Sequence, residues 1–181
     1  MRPQKLLKIG IRAAILTILI SSLIYFSYYY TSYNFIVFLE YAFIFVAGAA
    51  CFIIVLRILN HVKKHKRYRK PLILTSAFLV VSFIVALVFF RKLTQLLDTM
   101  RIRFINESSY VLTDVKITGC QKRQLNDIAP KGNETVWITI TRDCAINVTY
   151  NENGKVKNEV ISAYVTKSMG QQITYKMGSS K

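Results

Sequence analysis

Three unbroken apolar runs fill the first half of the chain, and short alternating segments fill the second. The runs are IGIRAAILTILISSLIYFSYYY at about 9–30, FIVFLEYAFIFVAGAACFIIVLRIL at about 35–59 and PLILTSAFLVVSFIVALVFF at about 71–90. Each is close to the ~20 residues that a helix needs to cross ~30 Å of hydrocarbon. None alternates in the manner of a membrane strand, so helices are the way to keep this backbone hydrogen-bonded in lipid. The first run ends in bulky aromatics, YFSYYYTSYNF, with no small-residue cleavage site. An uncleaved helix is therefore expected rather than a signal peptide.

From Arg101 the period falls to two. Ile102 and Phe104 share a face opposite Arg101 and Arg103, and Val115 and Ile117 oppose Lys116 and Thr118. Val136, Ile138 and Ile140 oppose Trp137 and the threonines, and Ile146, Val148 and Tyr150 oppose Asn147 and Thr149. KVKNEVISAYVT and QQITYKM follow, with Ile173, Tyr175 and Met177 on one side of the latter. Turn signals NESS, APKGN, NENG and KSMGQ separate these segments. Short connections imply antiparallel pairing, and one-sided apolar faces imply two sheets face to face or a small barrel.

The expected fold class is thus three transmembrane helices followed by an all-β C-terminal domain of six or seven strands. An immunoglobulin-like β-sandwich is the favoured architecture, although the cysteines do not bracket a tryptophan at true immunoglobulin spacing. In domain terms, 1–92 is a three-helix membrane domain, 93–100 a stalk continuing the third helix, and 101–181 an exported β-sandwich.

Composition sharpens this picture. Hydrophobic residues make up 52% of 181 residues, more than a chain this small can hide from water. A net charge of +16 raises the question of nucleic acid, but its distribution answers against it. Basic residues gather at Arg2, Lys5, Lys8 and Arg12, and again at Arg57, Lys63, Lys64, Lys66, Arg67, Arg69 and Lys70. Both groups flank apolar runs, as cytoplasmic anchors do. The second group, in a loop at 60–70, is expected to touch anionic lipid headgroups, and no nucleic-acid partner is expected.

The positive-inside rule then sets a topology. The N-terminus and the loop at 60–70 lie in the cytoplasm. The TSYN connection lies outside, ringed by Tyr28, Tyr29, Tyr30 and Tyr33 as an interfacial belt. The C-terminal domain lies outside too, periplasmic or extracellular, with a bacterial inner membrane as the expected setting. Arg91 and Lys92 oppose this orientation but are outnumbered by the basic loop.

Candidate chemistry is sparse. Cys120 and Cys144 enclose GCQKRQLNDIAPKGNETVWITITRDC, and a disulfide between them would contribute about 3 kcal/mol and persist outside the cytoplasm. Two free buried thiols are the alternative. A zinc site would need two further ligands, and no histidine lies in this half. Strand parity poses a difficulty: Cys144 is in step with Ile146, whereas Cys120 is out of step with Ile117 unless Gly119 forms a bulge. Cys51 reads as a packing residue. His61 and His65 have i, i+4 spacing but no carboxylate or cysteine beside them, so they belong to the basic loop. No metal or cofactor is expected.

Glu40 is the only carboxylate inside a run and is the candidate intramembrane functional residue. Reaching the outer interface, or bonding to Tyr28 or Tyr41, are its bland alternatives. Ala47–Cys51, AGAAC, gives the second helix a small-residue face. That face suits packing within the three-helix unit or, more sharply, homo-oligomerisation. Three N-x-S/T sequons, at Asn106, Asn133 and Asn147, would matter only in a glycosylating host.

No phosphate loop, nucleophile–base pair or paired carboxylates stand out, so an enzyme is not expected. The expected class is a membrane protein that displays its β-domain to another envelope or exported protein, in toxin immunity, envelope assembly or sensing. The rival is an accessory subunit of a transporter or channel, in which Glu40 and the small-residue face would carry the function.

Overall fold

The computed structural model describes residues 3–64 and 66–178, side chains at 63, 64 and 66 excepted. The chain divides into two compact units, Met1–Leu93 and Thr94–Lys181. The first is built from helices α1 (Pro3–Thr31), α2 (Asn34–Lys64) and most of α3 (Arg69–Leu97). All three are long and apolar enough to cross a membrane. They overrun the apolar stretches because their basic flanks are good helix formers, and Pro3 and Pro71 fall in first turns, where proline is tolerated. Ser32 breaks α1 from α2 with a left-handed backbone, φ 53°.

One expected segment takes a different form, and the continuation of the third helix is seen as far as Leu97. Residues 60–70 are mostly helical rather than loop: α2 continues through Lys64, and a 3-10 turn at Lys66–Tyr68 leads into α3. In the segment 93–100, α3 runs to Leu97 and a strand already begins at Thr99. The helices run on through 60–64 and 93–97 because no glycine or proline interrupts them there.

Each helix buries one stripe. In α1 it is Leu6, Gly10, Ala14, Thr17, Ser21 and Tyr28; in α3 it is Leu72, Thr75, Leu79, Ser82, Ala86 and Leu93. In α2 it is Val37, Glu40, Ala47, Cys51 and Ile58. Steps of three, four and seven keep each stripe on one side of its helix, the pattern of a helix-helix seam. Large residues such as Leu23, Phe45 and Leu74 point outward and are exposed. Small residues set the spacing. A Cβ on Gly10 would come within 2.6 Å of Thr75, and one on Gly48 within 3.0 Å of the Phe83 ring. With Ala47 and Cys51 also buried, the small-residue face is used inside the unit.

The second unit contains seven strands: β1 (Thr99–Asn106), β2 (Leu112–Gly119), β3 (Arg123–Gln124), β4 (Asn133–Thr139), β5 (Cys144–Glu152), β6 (Lys155–Val165) and β7 (Gln172–Met177). They form two sheets, ordered β4-β1-β7 and β3-β2-β5-β6. The alternation anticipated from sequence is realised. Ile102, Phe104, Val115, Ile117, Ile138, Ile146, Val148, Tyr150 and Met177 all enter one core drawn from both sheets. β2 keeps Leu112 and Val115 both inside by a register shift between Thr113 and Lys116, where Asp114 has φ 51°.

Pairing is not wholly antiparallel, and this corrects the expectation. β1 and β7 pair in parallel, Ile102 opposite Ile173 and Phe104 opposite Tyr175. Short connections force antiparallel pairing only between strands consecutive in the chain. β1 and β7 are the first and last strands, so that constraint does not act on them.

Candidate functional site

Glu40 lies on the buried stripe of α2 with no exposed surface. The hydroxyl of Ser21 on α1 is the polar group facing it, yet neither side chain makes a hydrogen bond. The two bland expectations for Glu40 are thereby corrected. It does not reach outward, because its stripe faces the seam. It bonds to neither tyrosine: Tyr28 is itself buried in the seam, and Tyr41 points out and packs edge-on against Phe90 at 4.8 Å. Tyr28 therefore leaves the expected interfacial belt, while Tyr30 and Tyr33 remain exposed. Among the described residues no lysine or arginine is buried between the helices. An enclosed carboxylate without a partner costs several kcal/mol, on the order of a buried unpaired polar group or more.

Of the basic residues, Arg67, Arg69 and Lys70 are exposed. The side chains of Lys63, Lys64 and Lys66, and His65 altogether, lie outside the described residues. His61 is spoken for by its own helix, its Nδ1 lying 2.9 Å from the Arg57 carbonyl.

Cys120 and Cys144 form a disulfide, with Cα atoms 5.2 Å apart. The parity problem is solved by Gly119 without a ladder bulge at that point. Gly119 has φ 110°, which turns the chain as β2 ends and swings Cys120 back toward β5. Only glycine fits there, since a Cβ would lie 1.8 Å from the Ala145 carbonyl oxygen. Both half-cystines pack on the edge of the core. Cys51 is a buried free thiol.

Three polar networks brace the β-unit, and none was visible in the sequence. Asn106, which reads as a sequon, is fully buried. Its Nδ2 donates to the carbonyls of Tyr110 (2.7 Å) and Ile128 (2.8 Å), and its Oδ1 accepts from Ser108 N and Oγ. It is a structural clamp, closed to modification in the folded domain. Glu159 accepts from the hydroxyls of Tyr150 (2.6 Å) and Tyr175 (2.8 Å), linking β5, β6 and β7. Burial, reinforced by the Glu159 carboxylate, pushes both phenols up, Tyr175 to about 12. Asp143 accepts from Thr166 and Tyr164, and these bonds hold its carboxyl below the usual range.

On the outer face of the other sheet, Arg101 stacks over Trp137 at 5.2 Å, directly across the β1–β4 register. Arg101, which the alternation had placed facing solvent, is buried, and this cation–π contact is one of its contacts. The remaining unexplained feature is β6. It is an 11-residue edge strand whose outer face exposes Val156, Val160 and Tyr164, at 74%, 61% and 59%. The repeat V-x-N-x-V in KVKNEV was the only sequence signal for it. Compared with known protein families, curated proteins and solved structures, the chain matches none of them.

Proposed function

We propose that the chain is an integral membrane protein, with its N-terminus cytoplasmic, that displays an immunoglobulin-like β-sandwich outside the cytoplasm as a protein-interaction domain. The observation that carries this reading is the Cys120–Cys144 disulfide. Such bonds persist in oxidising compartments, and the domain bearing it follows three helices of spanning length. An odd number of spans starting from a basic cytoplasmic N-terminus leaves that domain outside. The exposed basic residues Arg67, Arg69 and Lys70 support the same orientation, with lipid headgroups as their partners. Toxin immunity, envelope assembly and sensing all fit a displayed domain of this kind equally.

The test is labelling of an introduced exposed cysteine at Thr135 with a membrane-impermeant maleimide in intact cells. Labelling without lysis is the expected result; labelling only after lysis overturns the topology.

Glu40 favours a second reading, an accessory subunit of a transporter or channel, because enclosed intramembrane acids often mark ion paths. Deleting the chain after Phe90 separates the two. An interaction protein loses its activity, and an accessory subunit working through its helices retains it.

A further inference from the structure

We infer that the free edge of β6 is a homodimer interface, in which β6 pairs antiparallel with β6 of a second copy about a two-fold axis at Asn158. This names the partner of the displayed domain and rests on that reading. Asn153 and Gly154 both have positive φ, 49° and 76°, the signature of a two-residue type I′ hairpin. Glu152 and Lys155 are therefore its closing hydrogen-bonded pair. Bonded and non-bonded pairs alternate along an antiparallel ladder. Lys155, Lys157 and Glu159 thus turn their main-chain groups to β5, and Val156, Asn158 and Val160 turn theirs to the free edge. Among the described residues no other backbone group bonds to that edge.

The sequence across this edge is self-complementary. With Asn158 opposite Asn158 of the second copy, Val156 meets Val160 twice on the outer face, and Lys157 meets Glu159 twice on the inner face. Apolar and opposite-charge cross-strand pairs of this kind stabilise an antiparallel ladder. Glu159 keeps acceptor capacity beyond its two tyrosine bonds. The straight part of the strand also selects this register. Pairing with β5 becomes irregular between Asn147↔Val160 and Ile146↔Ser162, so a dyad at Val160 would cross the irregularity. A dyad at Val156 would run into the turn.

The edge is only partly protected. β6 contains no proline and turns the β-branched Val156 and Val160 outward beside Asn158. Its inward charges, Lys157 (paired to Glu152) and Glu159, could block a strand of another sequence but face opposite charges in this register. Six main-chain bonds and two valine pairs make a small interface, and confinement of both copies to one membrane raises their effective concentration.

The test uses the full-length chain in native membranes. Asn158→Cys, treated with a short membrane-permeant bis-maleimide, is expected to give an adduct of twice the chain mass; Thr135→Cys, on β4, is expected to give none. Adding Val160→Pro to Asn158→Cys removes an N–H that faces the edge and serves no bond within the chain. Losing its symmetric pair of bonds should lower the adduct at least about tenfold, with Trp137 fluorescence melting unchanged. If that variant melts early, Val160→Lys at the same exposed position must lower the adduct instead. No adduct from Asn158→Cys, an equal adduct from Thr135→Cys, an adduct only to a different protein, or a yield untouched by both Val160 variants overturns the dimer. Impermeant labelling of Asn158→Cys reads topology separately: reachable but never cross-linked refutes the dimer alone, and cross-linked but unreachable refutes the display.

Discussion

Replacing both half-cystines, Cys120→Ala with Cys144→Ala, removes the only covalent tie in the β-unit. Their sequence separation is 24. Closing a loop of that length restricts the unfolded chain by about 3.5 kcal/mol in the loop-entropy treatment. A single domain of under a hundred residues is stable by only about 5–15 kcal/mol, so the loss is a quarter or more of the whole. At roughly 4–8 °C per kcal/mol for a domain this size, melting should fall by roughly 14–28 °C. Trp137 is the sole tryptophan and lies in β4, stacked on Arg101. Its fluorescence therefore reports the β-unit with no contribution from the helices. The assay is thermal unfolding of the full chain in detergent, followed by that signal, beside untreated protein and protein melted in reductant. Reductant should lower the melting point by a similar amount, since both treatments release the same loop. A drop smaller than about 5 °C from both would refute the reasoning, because it would mean that the unfolded ensemble already holds residues 120–144 together.

Asn106→Ala orphans the Ser108 N–H and takes one of two donors from each of the Tyr110 and Ile128 carbonyls, which keep Ser108 Oγ and Leu112 N. At about 1–3 kcal/mol for the orphaned donor, the urea midpoint should fall, and a midpoint within experimental error of wild type would dispose of the clamp. Gly119→Ala meets the Ala145 carbonyl and a φ of 110° together; Cys120 and Cys144 should then alkylate freely in a gel-shift assay, and a protected pair would count against the close approach. Alkaline pH should act through Tyr150 and Tyr175, whose folded-state values lie above the unfolded value of about 10. A raised folded value means that the stability is complete below pH ~10 and is lost as pH rises toward and past ~12. Wild type should lose stability more steeply over that window than Tyr150→Phe/Tyr175→Phe, and parallel profiles would refute the assignment. Glu40→Leu exchanges an enclosed, unbonded carboxylate for an apolar group of similar length, so the helices should melt no earlier in far-ultraviolet circular dichroism. Earlier melting would reveal a stabilising contact at that carboxylate.

Periodicity tells which side of an element faces inward, and those readings served well here. The three apolar runs correspond to α1, α2 and α3, and the alternation from Arg101 correctly sorted Ile102, Phe104, Ile146 and Val148 into the core. Periodicity does not tell which element lies next door. The parallel pairing of β1 with β7, the two-residue β3, and the stacking of Arg101 on Trp137 all depend on neighbours remote in sequence. Asn106 shows the same gap from another side. Its local sequence spells a modification signal, while its role is set by Ile128, 22 residues away. Cys120 was misplaced by strict alternation because one glycine with positive φ changes the direction of everything after it.

Each unit contains one feature that its own packing does not explain, and natural sequences tend to break local rules where they function. In the helical unit it is Glu40, where an apolar residue would fill the seam without a buried, unbonded carboxylate. In the β-unit it is the β6 edge, where an outward lysine or a proline would block unwanted pairing. The two differ in what a partner needs in order to reach them. Glu40 has no exposed surface, so any ion path or protein contact through it requires the helices to part. The edge of β6 is open, straight over Lys155–Val160, and ready to accept a strand with no change in the fold. A function that works through the helices must therefore move them; a function that works through the β-domain need not. Locking α1 to α2 with an introduced cross-link between their buried stripes should abolish activity only under the transporter reading. Abolition would turn the argument against the displayed domain and toward Glu40.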